Sequence, residues 1–92
     1  MTVPAERSRV TEPLDRAELA FRRAVALELD AIRHHERIAM SLEVIAARQE
    51  QRASQTTDRT WADMATRTRA RAQAARQRAD DARARLRSEG AL

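Results

Sequence analysis

The stretch Ser54-Gln55-Thr56-Thr57-Asp58-Arg59-Thr60 decides how this chain folds. Five of its seven side chains are hydroxyls or a carboxylate, which bond to nearby backbone and compete with helical hydrogen bonding. Everything around it favours helix. From Leu14 to Ser88 there is no Gly or Pro, and an unbroken helix over 12–88 would be about 115 Å long, far beyond the usual globular range. The stretch therefore reads as a chain reversal at about 55–59. Thr60 followed by Asp63 resembles a capping box with Asp in place of Glu, which starts the second helix at about 60. One continuous coiled coil is the alternative, since no Gly or Pro enforces the turn.

Downstream of the turn, the second helix is expected over about 60–88. Its seam runs Trp61, Ala65, Thr68, Ala72, Ala75, Ala79, Ala82, Leu86 in unbroken 4-3 steps, a heptad with alanine at most core positions. Arg83, Arg85 and Arg87 complement the helix dipole, and Gly90 is placed for a left-handed C-terminal residue. Upstream, the first helix is expected over about 12–54, inside a hairpin of residues 11–90. Thr11 is a good N-cap, Glu12 and Asp15 suit the positive end, and Pro13 fits a first turn. Residues 1–10, with Pro4 and no apolar period, read as a flexible arm.

The first helix carries apolar residues at seven-residue spacing on three adjacent rows: Leu14, Phe21, Leu42; Ala17, Ala24, Ala31, Ile38, Ile45; and Val25, Ile32, Ala39, Ala46, Ala53. Between 19 and 29 it becomes apolar nearly all round, as expected of a segment enclosed on more than one side. A hairpin centred near residue 57 sets Leu42 by Ala72, Ile38 by Ala75 or Arg76, and His35 by Ala79, large facing small. The same register brings Glu43 towards Arg71 and Glu36 towards Arg78.

Composition narrows the chemistry. All 18 basic residues are Arg, against 14 acids, for a net charge of +4. Twenty alanines with a single Gly and no Cys, Lys, Asn or Tyr favour an all-α chain. The Ala and Arg excess without Lys matches the residue usage of a GC-rich bacterial genome. The absence of Cys excludes thiol catalysis and thiolate metal sites, and the absence of Lys excludes Schiff-base chemistry and a P-loop. No window approaches the ~18 apolar residues of a membrane span, and Met1–Val10 has no apolar leader segment, so a cytoplasmic protein is expected.

Two helices make one interface, too little to cover the first helix. The expected architecture is an antiparallel helical hairpin that dimerises into a four-helix bundle. Leu19, Leu27, Leu29, Met40 and Val44 are left outside the hairpin, and with Ile32 and Trp61 they form the expected interface. The expected function is that of a small protein–protein interaction or assembly protein acting as a homodimer.

The alternative is a nucleic-acid-associated protein using an Arg face of the second helix, with Arg69, Arg76 and Arg83 as the phosphate-contacting row. Against it, Asp80, Asp81 and Glu89 interrupt the positive field, and two aromatics with no Asn offer little to read bases. Positions flanking a helical seam are also where interhelical ion pairs sit. His34 and His35 with Glu28 and Asp30 are the one cluster resembling a metal site, but neither His follows a Glu by three residues, and a structural pairing of His35 with Glu28 is the simpler reading. Trp61 at the first seam position reads as a plug beside the turn. Nothing supports a catalytic triad, a resident cofactor or a metal, so the chain is not expected to be an enzyme. No family motif is present.

Overall fold

In the computed structural model, which describes residues 3–92 with side chains from residue 15 onward, two helices fold back on each other: α1, Val3–Ala53, and α2, Thr60–Ser88. The hairpin is 83 Å long and only 21 by 15 Å across. The side chains of the 54–60 stretch bring about the reversal. Ser54 Oγ donates to the Gln51 carbonyl at 2.6 Å, while the amides of Gln55 and Thr56 bond back to the Arg52 and Ala53 carbonyls, tightening the last turn of α1. Asp58 then opens α2. Its N–H donates to Thr56 Oγ1, and its Oδ1 accepts from both the N–H and the hydroxyl of Thr60, at 3.0 and 2.8 Å. Those two bonds hold the Asp58 carboxyl below its ordinary pKa.

The expected Thr60–Asp63 capping box is therefore not the device used. Asp58 takes the orphan amide, and the Asp63 N–H donates to the Arg59 carbonyl instead. The far end of α2 follows the expected scheme. Gly90 adopts φ +76°, the Ala91 N–H reaches the Leu86 carbonyl and the Gly90 N–H the Arg87 carbonyl. This is a Schellman motif, and it folds Ala91 against Leu86 and the core.

At its other end α1 begins at Val3, so the backbone of residues 3–10, expected as an arm, is helical and Thr11 is not its N-cap. Pro4 falls in the first turn, where a missing amide costs no bond, and no further Pro or Gly occurs before Pro13.

All seven expected seam residues from Ala65 to Leu86 are buried on α2. On α1 only one of the three apolar rows does the matching work: Ile32, Ala39 and Ala46 are buried, and Val25 and Ala53 at the ends of that row are half-buried. Large lies beside small where expected in the middle of the hairpin, with Ile38 and Leu42 next to Ala74 and Ala75, but the central row itself places small residues in the seam. Ala39 and Ala46 have no exposed surface although alanine is small, which requires the facing backbone to come close, near the short end of the usual ~8–10 Å interaxial range. Large side chains gather at the open end, where Ile32, Ala79, Ala82 and Leu86 pack with Val25 and Leu29.

Candidate interaction surfaces

The seam has two borders, and they differ in chemistry. One is closed by ion pairs at seven-residue spacing. Arg69 meets Glu50 with two hydrogen bonds, at 2.5 and 3.2 Å. Arg76 meets Glu43 likewise, at 2.5 and 2.8 Å. Arg83 bonds Glu36, with Asp80 nearby at 3.6 Å. These bonds lower the pKa of Glu43 and Glu50 and raise those of Arg69 and Arg76, the hydrogen bond being the largest cause in each. The expected partners of Glu43 and Glu36, Arg71 and Arg78, are corrected to Arg76 and Arg83. The correction has a plain cause: the glutamate row borders the central α1 row on the side away from Ile38 and Leu42, whereas Arg71 and Arg78 lie beside those two residues. The row considered for phosphate binding, Arg69, Arg76 and Arg83, thus has each guanidinium engaged by a carboxylate of its own chain.

The opposite border is open. Here α1 presents the row Ala24, Ala31, Ile38, Ile45, of which Ile38 and Ile45 are exposed. Along α2 run Met64, Arg67, Arg71, Ala74 and Arg78, on one side by their 3-and-4 spacing. Ile38 and Leu42 share a shallow hollow with Arg71, Ala74, Ala75 and Arg78. Since antiparallel helices repeat their register every seven residues, Ile45 falls between Arg71 and Met64. Arg48, Arg67, Arg71 and Arg78 make no ion pair or hydrogen bond with a described residue. At the open end of this border Arg85 bonds Glu28 at 2.8 Å.

A third surface lies where α1 reaches past the end of α2. Phe21, Ala24 and Val25 lie beside Arg85, Leu86 and Glu89, so α2 finishes there and α1 continues. Leu19 and Phe21, near the end of α2, and Leu27, still alongside its last turn, are 47, 48 and 70% exposed. At about 100° per residue they point in directions roughly 80–160° apart, so the surface is apolar on several sides at once.

The expected interface residues are thereby divided. Leu19, Leu27, Met40 and Val44 are exposed, but Arg33 and Arg37 separate Met40 and Val44 from Leu19 along the helix. Ile32 is 3% exposed and belongs to the chain's own core, with Leu29 packed against it. Trp61 is half-buried beside the turn, and the Arg52 guanidinium lies 5.1 Å from its ring centroid, a cation–π contact across the helix pair. The residues on the open end and open border are instead Phe21, Ile38, Ile45 and Met64, none of which the sequence reading placed at an interface. Three of them lay on rows that were assigned to the hairpin core.

Glu28 is held by Arg85, not by His35, and Asp30 lies 3.8 Å from Arg33. The rings of His34 and His35 are 6.0 Å apart, and among the described residues no three His, Asp or Glu side chains converge on one point. No helix among the described residues is long and apolar enough to cross a membrane.

The fold and surfaces define an all-α, two-helix hairpin with a closed border, an open border and a protruding helical end. Comparison with protein-family models, with curated proteins and with solved structures finds no match.

Proposed function

We propose that the protein is a small interaction and assembly module that works as a homodimer, its chemistry being recognition and not turnover. The observation that carries this reading is the apolar surface of α1 around the end of α2. Leu19, Phe21 and Leu27 expose apolar surface in three directions within nine residues, and one flat partner cannot cover all three. Two helices of a second hairpin can, which gives a four-helix arrangement around Leu27, where α1 still has α2 beside it, under two-fold symmetry. Leu27, the most exposed of the three, is the informative position. Its replacement by Glu places an unpaired charge in the assembly while touching nothing in the hairpin core. Sedimentation equilibrium at micromolar concentration is expected to give a dimer for the parent chain and a largely monomeric Leu27→Glu variant of unchanged helicity. A parent chain that sediments as a monomer overturns the reading.

A further inference from the structure

We infer that the open border is a docking groove for an amphipathic helix of another protein, one with an apolar stripe and acidic residues on both sides of it. The inference rests on the interaction reading above but concerns a different surface, since Ile45 lies about 27 Å along α1 from Leu27 at 1.5 Å per residue.

The groove floor is apolar and exposed: Ile38 37%, Ile45 44%, Met64 37%, with Leu42 and Ala74 beside them. Arg71 and Arg78 line it, Arg67 follows on the same side of α2, and Arg48 falls beside Ile45 by its three-residue spacing on α1. None has a carboxylate among the described residues, while the arginines of the other border are each paired. The asymmetry selects the occupant. A third helix in this groove covers the isoleucines and Met64 as a helix-in-groove complex does, and its flanking carboxylates meet guanidiniums that have lost water but gained a fork partner. From Met64 to Arg78 the groove is about 21 Å long, room for four helical turns.

Other occupants fit less well. A second copy would bring the same four arginines against each other, with Asp81, already bonded by Gln77, the single acid in the neighbouring row. Nucleic acid would satisfy the arginines and leave the apolar floor wet. An anionic lipid surface is flat, whereas the hydrophobic residues here sit between two helices.

The test uses the full chain and two fluorescein-labelled 18-residue helical peptides with the same leucine stripe, one bordered by Glu and the other by Lys. The acidic peptide is expected to bind at least tenfold more tightly by fluorescence anisotropy, and Arg71→Glu with Arg78→Glu is expected to reverse that order. All three positions needed, 45, 71 and 78, are exposed, so circular dichroism should show each variant folded. Ile45→Glu should weaken both peptides. Equal affinity for the two peptides, or a double variant that keeps the parent's preference, overturns the proposal. So does tighter, Arg71- and Arg78-dependent binding of a 20-base-pair duplex or of phosphatidylglycerol vesicles, and so does a change in self-association in the double variant, which would make the occupant a second copy. The Leu27→Glu chain separates this proposal from the dimer: if it is monomeric and still binds the acidic peptide, the groove stands by itself.

Discussion

Enlarging the alanine seam is the sharpest perturbation of the packing. Ala75 is 1% exposed and sits on the α2 seam between Ala72 and Ala79, at a level where α1 contributes Ile38 and the half-buried Leu42 on either side of the fully buried Ala39. Leucine adds three carbons between closely packed helices, and the hollow beside Ala75 is shallow and open to solvent, so the helices must part or the side chain must leave its preferred rotamer. Overpacking of this kind costs about 1–3 kcal/mol. For a domain of this size each kcal/mol lowers Tm by roughly 4–8 °C. The matched control is Ala70→Leu, on the exposed outer face of α2, expected within about 0.5 kcal/mol of the parent. Urea denaturation followed by circular dichroism, at one protein concentration, measures both. If Ala75→Leu melts with the parent and with Ala70→Leu, the helices do not approach closely at the seam and the packing argument fails.

Two other outcomes follow from polar groups. Glu43, Glu50 and Asp58 all have folded pKa values below their ordinary ones, so their contribution is complete above the usual carboxylate range and is lost as pH falls through the lowered values. Stability should therefore be flat from about pH 7 to 5 and decline below, and Glu43→Gln should make that decline shallower in urea midpoints taken from pH 6 to pH 2. Gln49 Oε1 is buried without a hydrogen-bond partner; Gln49→Leu removes that unmet acceptor and is expected to stabilise by about 1 kcal/mol in the same assay, whereas a loss of stability would show that the amide is satisfied in solution.

The hairpin was legible because its signals are local. Hydroxyls and a carboxylate at 54–60 stop one helix and start another, and the 4-3 run from Ala65 to Leu86 names the buried face of α2 residue by residue. Gly90 was legible for the same reason, a backbone conformation that glycine adopts without strain. What the pattern left open was which part of a broad apolar stripe a single partner helix would cover. Three rows on α1 are apolar, α2 buries the Ile32–Ala39–Ala46 row, and the Ile38–Ile45 row is left outside. The same ambiguity displaced the ion pairs, because a register argument places residues along the helices and does not say on which border a row lies. Glu43 therefore found Arg76 instead of Arg71. The capping assignment missed because Thr60 and Asp58 both carry suitable oxygens, and only geometry chooses between them.

All of these surfaces depend on the chain doubling back within one molecule. Spin labels at positions 41 and 74, both exposed and bordering the hollow lined by Ile38, Leu42, Ala74 and Ala75, measure this directly by pulsed electron resonance in doubly labelled chains diluted with unlabelled protein. The antiparallel hairpin predicts a separation within about 20 Å, as for side chains on neighbouring helices packed at ~8–10 Å. A continuous helix would separate the labels by about 50 Å at 1.5 Å per residue, and that result would contradict the account.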